Sequence, residues 1–352
     1  MVIKRIIIKV RRMDVKLRDI AERAGCSIGA ASKAMSPDGT AKIRISEATR
    51  QRVLKVAAEL DYHPNLAARQ LAGKRSGLVG VLVSMAAAPI NLVRVELIEN
   101  MAYSLGYQTM VGRFPLQRNP SELRSFIMRL AGRGIEGLIV IGDLVEHEAK
   151  YGALDAYGIL PTVHIAQPEK AIADKCGLVA VDVRGGTRDI VDLILKKGYA
   201  RPGCAMSKSG HELFRDVAAG KGGVGTKAKT WLLDKAMTQK LDERQGREIV
   251  DTLVLKGKAD VIVAGNDYWA ARINQELRGR NIDVPGDVGL IGYNNLDFAE
   301  FLSPPLTTVD ENNNGIAEQS VKLLVKLLGA EAPPASAMRV NVIHKLVERE
   351  SA

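Results

Sequence analysis

Cysteine is scarce in this chain of 352 residues, which contains three: Cys26, Cys176 and Cys204. Their number is odd and they lie far apart, so they fit neither a disulfide framework nor the spacing of a metal site. Unpaired cysteines of this kind are typical of proteins from a reducing compartment. We therefore expect a cytoplasmic protein without a disulfide framework.

Long apolar runs are also missing. No stretch reaches the roughly 18 consecutive apolar residues that indicate a membrane-spanning helix, so we predict no membrane partner. The first residues, MVIKRIIIKVRRM, contain an apolar run that is too short for a signal peptide. We expect residues 1–13 to be a disordered basic arm or a mis-started extension, in preference to an ordered strand.

The residue patterns of an enzyme or a metalloprotein are not found either. His147, His164 and His211 have no metal-type partner at a useful spacing, and no Ser/His/Asp arrangement is evident. The stretch GKGGVGTKAKT at 220–230 resembles a phosphate-binding loop. However, Thr226 precedes Lys227, which reverses the order that such a loop requires, and the preceding residues read as a helix. We interpret it as a mobile loop, and predict a protein that is not an enzyme and uses no cofactor or metal.

Acidic residues are few in one part of the chain. Residues 1–76 contain 17 Lys and Arg against 7 Asp and Glu, whereas the remaining residues contain 33 of each. The net charge of +10 therefore lies on the first quarter. Such an imbalance alone also fits a solvated basic surface, but beside a DNA-binding motif it favours nucleic acid as the partner.

A helix-turn-helix pattern lies within this basic quarter, in VKLRDIAERAGCSIGAASKAMS from residue 15. Gly25 suits the left-handed position after a helix, and Ser27 suits the N-cap of the next one. The first helix has an apolar stripe at helical spacing, formed by Leu17, Ile20, Ala21 and Ala24. The second helix has one face of Ala31, Ala34 and Met35 and an opposite face of Ile28, Gly29, Ser32 and Lys33. A second helix with such an outer face is the one that enters the DNA major groove.

Two further helices are predicted before residue 76. The third helix begins at Ser46, which suits an N-cap, and it ends before Pro64, because a residue that precedes proline avoids helical geometry. Asn65 to Gly73 form a short helix that is marginal alone in water, so we expect it to order only on DNA beside a second copy. We assign residues 14–63 to a headpiece and 64–76 to a hinge helix and linker.

The pattern changes at Gly77 to alternating strands and helices. Apolar runs such as GLVGVLVS at 77–84 are typical of parallel strands that are covered on both faces. We predict an α/β core at 77–352, built of two doubly wound parallel-sheet subdomains with a ligand cleft at the carboxyl ends of the strands. We expect one subdomain to combine about 77–183 with 306–325, and the other to combine about 184–305 with 326–352.

These motifs resemble those of the lac repressor/galactose repressor family of transcriptional regulators. The resemblance is carried by LRDIAERAG, SEATRQRVLKVAAELDYHPN and NLAARQLAGKRS, and later by VAGNDYWA, IDVPGDVGLIGYNN, SPPLTTV and HKLVERES. It covers nearly the whole chain after residue 14 and is weakest between 143 and 240. It implies a helix-turn-helix headpiece, a hinge helix and a core similar to periplasmic sugar-binding proteins.

The resemblance places DNA contacts on the second helix and on the hinge. Lys33 would reach guanine O6 and N7, and Ile28 would touch a thymine methyl group. Leu71 would act as a wedge that unstacks a base step from the minor groove. Gly29 and Ala30 are shorter than the residues usual in the family, which implies fewer hydrogen bonds to bases. The implied DNA-binding set is Leu17, Ser27, Ile28, Gly29, Ser32, Lys33, Ser46, Asn65, Ala68, Arg69 and Leu71.

The same resemblance assigns effector contacts to Arg215, Asn266 and Asn294. Asn294 stands where the family usually has Asp, and an amide cannot accept hydrogen bonds on both of its side-chain atoms. Residues 166–167 (Ala-Gln) and 218–219 (Ala-Ala) also depart from the family's usual residues. These departures disfavour an ordinary hexose, and an unoccupied cleft is the alternative.

Together these features predict a sequence-specific DNA-binding regulator, a repressor that binds a palindromic operator as a homodimer. A tetramer is the alternative assembly. A small-molecule effector in the core cleft would control it by changing the angle between the subdomains. The alternative function is a small-molecule binding protein that binds DNA only non-specifically.

Overall fold

The computed structural model describes residues 15–35, 45–62, 75–85, 89–114, 120–142, 160–167, 176–221, 229–232, 241–329 and 338–352. The chain divides into two compact units, Met1–Ser76 and Gly77–Ala352. The extension predicted at 1–13, the hinge helix predicted at 65–73 and most of the loop at 220–230 lie outside the described residues.

The first unit contains three helices in its described part: α1 (Leu17–Arg23), α2 (Ile28–Ala34) and α3 (Glu47–Glu59). As predicted, the apolar stripes of the three helices face one another. Small side chains supply most of this core, so the helices approach closely. The buried cluster consists of Ile20, Ala21, Ala24, Ala31, Ala34, Val53, Val56 and Ala57.

The turn between α1 and α2 follows the predicted signals. Gly25 has a φ of +63°, and the Cys26 N–H donates to the Ala21 carbonyl at 2.9 Å, which closes the end of α1. Ser27 Oγ accepts from the Ala30 N–H at 3.2 Å and caps α2, and Ser46 Oγ accepts from the Thr49 N–H in the same way at the start of α3. The predicted helix starts are therefore confirmed.

The second unit contains a six-stranded sheet in the order β11-β5-β4-β3-β1-β2, with every strand parallel to its neighbours. Helix α4 (Pro89–Ser104) follows β1, and α5 (Pro120–Ala131) follows β2. Apolar clusters cover both faces of the sheet, as a parallel sheet requires. The strands are β1 (Leu78–Ser84), β2 (Gln108–Phe114), β3 (Gly137–Ile141), β4 (Thr162–Ala166), β5 (Gly177–Val181) and β11 (Arg339–Val342).

A four-stranded parallel sheet in the order β7-β6-β8-β9 forms the other half of this unit. Its strands are β6 (Pro202–Met206), β7 (Lys229–Leu232), β8 (Val261–Ala264) and β9 (Gly289–Ile291). The helices between them are α6 (Val183–Lys197), α7 (Lys208–Ala219), α8 (Glu243–Ile249), which continues as a π-helix to Lys256, and α9 (Asp267–Gly279). The predicted architecture of two doubly wound parallel sheets is confirmed.

Within the described ranges the chain passes between the two halves at three places, and here the structure differs from the expected subdomain limits. The first passage joins β5 to α6, the second joins β10 (Thr308–Asp310) to α10 (Asn313–Gly329), and the third joins β11 to β12 (Lys345–Val347). Strand β10 pairs antiparallel with β12 beside the second sheet, whereas β11 pairs with β5 at the edge of the first. The structure thus places 306–310 with the second sheet and 339–342 with the first, which is the reverse of the expectation. The pairing depends on which strand edge is open in the folded chain, and local sequence does not reveal this.

Asp267 holds the second sheet together at the start of α9. It is fully buried, and its carboxylate accepts hydrogen bonds from Thr308 Oγ1 at 2.6 Å and from the Leu296 N–H at 2.7 Å. Burial raises the pKa of this carboxyl to about 6, although these hydrogen bonds and the nearby Arg349 favour the charged form. The carboxyl therefore links β10 to the loop after β9. Above pH 6 it is charged while buried, and this burial of a charge costs free energy.

This cost predicts a pH dependence of stability. Because the pKa of Asp267 is raised above its ordinary value of 3.8, the folded state binds a proton more tightly than the unfolded state. The free energy of unfolding contributed by this group therefore falls as pH rises from 4 to above 6, by about 3 kcal/mol in total. An asparagine at this position does not titrate, so we expect wild type to lose stability relative to Asp267→Asn as pH rises over this range. Urea unfolding of both proteins measures the difference. A difference that stays constant with pH would contradict the raised pKa.

Candidate DNA-reading face and ligand cleft

The amino-terminal part of α2 presents an exposed face. Ser27 and Gly29 are exposed and Ile28 is 47% exposed, whereas Ala31 and Ala34 on the opposite face are buried against α1 and α3. Lys33 is the single charged residue of α2, so the exposed part of this face offers an apolar side chain and open backbone rather than charge. This face has the composition of a helix that enters a DNA groove.

The other predicted DNA-binding residues of the first unit have mixed surroundings. Ser32 and Lys33 are half-buried and both make contacts within the chain. Leu17 is half-buried and packs on the headpiece core, and the Ser46 hydroxyl caps α3. Leu17 and Ser46 thus already have structural roles. Asn65, Ala68, Arg69 and Leu71 lie outside the described residues.

Exposed basic side chains lie on or directly next to α1 and α3. Arg52 of α3 donates from Nε to the Ala24 carbonyl at 3.0 Å and so joins α3 to the turn before α2. The exposed cations of the described headpiece include Lys16, Arg18, Arg50, Arg52 and Lys55. Long cationic side chains of this kind suit contact with phosphate groups, which carry no sequence information but set the position of a protein on DNA.

The three predicted effector residues follow strands of the second sheet. Helix α7, which carries Arg215, follows β6, while Asn266 follows β8 and Asn294 lies shortly after β9. These strands are neighbours, and their carboxyl ends share one edge. The Arg215 side chain is exposed, whereas Asn266 Oδ1 accepts from the Trp269 N–H at 2.9 Å and caps α9. The side-chain oxygen of Asn266 thus already has a structural use.

Asn294 connects this edge to the segment that returns to the first sheet. Its φ is +101°, and its N–H donates to the Val309 carbonyl at 2.9 Å. Its side-chain Nδ2 donates to Glu311 Oε2 at 2.8 Å. Asn294 therefore contacts the passage between β10 and α10.

A buried ion pair lies at this passage, and sequence reasoning missed it. Arg94 of α4 donates from Nη2 to Glu311 Oε2 at 2.8 Å, from Nε to Asn313 Oδ1 at 2.8 Å and from Nη1 to Asn91 Oδ1 at 3.2 Å. Both Arg94 and Glu311 are buried. The one signal in the sequence is the polar run DENNN at 310–314, directly after the apolar strand β10.

The third passage is held by a histidine. His344, between β11 and β12, places Nε2 2.9 Å from Asp189 Oδ2 on α6, and its Nδ1 lies 3.9 Å from Asp182 Oδ2 at the first passage. Asp182 also caps α6 by accepting from the Gly185 N–H at 2.8 Å. His344 thus bonds to α6 and lies close to the first passage, so the first and third passages are neighbours in the folded chain.

Metal-site and phosphate-loop geometry gain no support in the described part of the chain. No group of three His, Cys, Asp or Glu side chains there could hold a metal ion. The three cysteines are free thiols, and burial raises the pKa of Cys204 to about 12, which keeps it protonated. The residues before the stretch 220–230 form α7, a helix rather than a strand, and Lys221 pairs with Asp192 at 2.8 Å. No helix in the described ranges combines the length and apolar character that a membrane crossing needs.

Comparison with protein families finds a match in each of the two units. Residues 16–65 match the family described as "Bacterial regulatory proteins, lacI family". Residues 192–352 match the "Periplasmic binding protein-like domain". The first match spans the three headpiece helices, and the second spans the second sheet and the return to the first.

Individual relatives match over most of their length. The HTH-type transcriptional regulator DegA of Bacillus subtilis is 28% identical over 84% of this chain and 86% of that protein. The HTH-type transcriptional repressor PurR of Photobacterium profundum is 23% identical over 88% of this chain and 91% of that protein. A structure of the lac repressor dimer bound to operator and the anti-inducer ONPF superposes with a TM-score of 0.76 at 21% identity, over 96% of this chain and 98% of that one.

The capping geometry of α2 predicts a stability effect that is separate from DNA contact. Ser27→Ala removes the acceptor for the Ala30 N–H and should lower the free energy of unfolding of the headpiece by about 1 kcal/mol. Ile28→Ala removes an exposed side chain and should change that free energy by less than about 0.5 kcal/mol. Thermal unfolding followed by circular dichroism measures both. An Ile28→Ala variant that is the less stable of the two would show that Ile28 packs inside.

Proposed function

We propose that this chain, which belongs to the lacI family of bacterial regulatory proteins, represses transcription in the cytoplasm by binding a palindromic operator as a homodimer under the control of a small-molecule effector. The observation that carries the proposal is the exposed face of α2, where Ser27, Ile28 and Gly29 are open to a partner while the alanines behind them are buried. A basic first quarter supplies the electrostatic attraction to DNA.

Base reading would come from a small number of side chains. Ile28 offers an apolar contact for a thymine methyl group, and Lys33 offers a donor for guanine O6 and N7. Gly29 adds no side-chain hydrogen bond, so it lets the DNA backbone or a base edge approach the helix closely. Discrimination would therefore depend partly on the shape of the site and partly on the proposed minor-groove contact of Leu71.

A second copy of the chain is supported by a surface of the second sheet's half. Phe301 ends a 3-10 helix (Asp297–Phe301) and is 79% exposed. It lies on the rim of a recess of about 530 Å³, which Asn274, Arg278 and Leu302 help to line. Within the described part of the chain, the buried Asn274 Oδ1 has no hydrogen-bond partner. We infer that the ring of each copy enters the recess of the other about a two-fold axis, which would make this surface self-complementary.

Control by an effector would act through the three passages between the sheets. A ligand in the cleft can change the angle between the halves only if it binds one arrangement more tightly than the other. Arg215, which is exposed on the helix after β6, would contact such a ligand. The direction of control, release or tightening on DNA, follows from which arrangement the ligand prefers.

Selection of bound duplexes from a random pool tests the proposal. We expect enrichment of one sequence with two inverted half-sites, which should bind at least about a thousandfold more tightly than random duplex at physiological salt. Both kinds of binding should weaken with salt, by about −0.9 in log-log slope for each phosphate contacted. If random duplex competes as well as the enriched one, the chain binds DNA only non-specifically and the operator claim fails.

The self-complementary surface yields a separate prediction. Phe301→Asp places a charge in the contact and should convert the dimer to monomers in sedimentation experiments, because a buried unpaired charge strongly opposes association. Ile343→Asp is a matched control, since Ile343 is also 79% exposed but lies between β11 and β12. If both variants remain dimeric, the dimer forms through another surface.

A further inference from the structure

Glu311 has one occupied and one open carboxylate oxygen. Oε2 accepts from Arg94 Nη2 and from Asn294 Nδ2, each at 2.8 Å. Oε1 accepts no hydrogen bond from the described residues and is accessible to solvent. An open carboxylate oxygen on an otherwise buried side chain, at the edge where ligands bind in such sheets, is a recognition group.

The orientation of the Asn294 amide follows from its partner. A carboxylate can only accept hydrogen bonds, so the nitrogen of the amide has to face Glu311. The Asn294 oxygen, Oδ1, is therefore directed elsewhere. It likewise accepts no hydrogen bond from the described residues and is accessible to solvent. Two acceptor atoms thus belong to groups that a single 2.8 Å hydrogen bond holds side by side.

The charge of this pair of groups is balanced from behind. The Arg94 guanidinium neutralises Glu311, and each of its three nitrogen atoms already donates, to Glu311, Asn313 and Asn91. Three of its five N–H groups are therefore used by protein acceptors, Arg94 itself is buried, and its charge is cancelled by Glu311, so the pair presents no net positive charge to an anion. A cation would meet an already neutralised carboxylate. The arrangement selects hydrogen-bond donors that carry no net charge.

We propose that Glu311 Oε1 and Asn294 Oδ1 form a two-acceptor subsite that receives two adjacent O–H or N–H donors of a neutral effector. This inference rests on the proposed function, which makes the cleft an effector site. The double acceptor that an aspartate at position 294 would supply is here divided between two residues, with Arg94 and Asn294 holding Glu311 in place. Adjacent donors of this kind occur on the vicinal hydroxyls of sugars and on the N–H edges of nucleobases.

Ligand binding to the full chain in the absence of DNA tests the subsite. We expect thermal shift and calorimetry to detect a compound from a panel of neutral aldoses, alditols and nucleobases. The aldoses and alditols offer hydroxyl donors and the nucleobases offer N–H donors, so the compound that binds shows which kind of donor the subsite receives. The sugar acid that corresponds to a bound sugar should bind less tightly. If no neutral member binds, or if the acids bind more tightly, the subsite is wrong.

Substitution of the carboxylate gives the sharper test. Glu311→Gln should weaken the bound compound by about tenfold or more, because hydrogen bonds to a charged acceptor are roughly twice as strong as those to a neutral one. Glu318→Gln is the matched control, since Glu318 is a half-buried residue of α10 that pairs with Lys322. The removal of one hydroxyl from the ligand should cost wild type more affinity than it costs Glu311→Gln, since the two changes remove the same contact.

A fold-conserving variant keeps the test decisive. Glu311→Gln leaves the buried Arg94 without its charge partner, which destabilises a protein strongly. Arg94→Gln combined with Glu311→Gln removes both charges, so it should fold and still bind the ligand about tenfold more weakly. Unchanged affinity in this double variant would overturn the role of Glu311. Because the assays contain no DNA, a failure of operator selection leaves this result intact, and the reverse also holds.

Discussion

Close contact between α1 and α2 is the constraint on which the DNA-reading face depends. Ala21 of α1, Ala24 directly after it, and Ala31 and Ala34 of α2 are buried, and larger side chains at these positions would overpack the contact between the two short helices. Each helix has seven residues, far too few to be stable alone in water. Tertiary contact therefore holds α2 in place and leaves its other face available to a partner.

In the second unit, the segments that connect the two sheets have a comparable importance. Each parallel sheet brings the carboxyl ends of its strands to one edge, and the chain crosses between the sheets only where segments such as 310–313 and 343–344 join them. Glu311 lies in one of these segments and His344 in another. A ligand that contacts Glu311 would act directly on a segment that any change of angle between the halves has to bend. Recognition and control would then use the same few residues.

The sequence predicted the local elements well, because their signals are local. Gly25, Ser27 and Ser46 adopt the capping roles that their residue types favour, and the apolar runs form the buried strands. It did not predict the partner of β11, since RVNV fits the edge of either sheet. It also missed the contact of Arg94 with Glu311, because these residues are 217 positions apart and meet only in the folded chain.

The predicted site residues fared unevenly for the same reason. Spacing along a helix predicts which face of α2 is exposed, and Ile28 and Gly29 are where that reasoning placed them. The substitution of Asn for Asp at 294 looked like the loss of an acceptor, because Glu311 is not a neighbour in sequence. Only the folded arrangement places the Glu311 carboxylate beside the Asn294 amide. Sequence patterns therefore predict which residues follow the strand ends. Tertiary contacts determine which polar groups lie together there.

The most direct measurement of the central claim is a change of base preference. Repeating the duplex selection with Gly29→Gln, which adds an amide to the exposed face of α2, should alter the preferred base at one position in each half-site and leave the other positions unchanged. The account predicts this local, symmetrical change. Recovery of the same sequence with the same affinity would show that this face of α2 does not contact the bases.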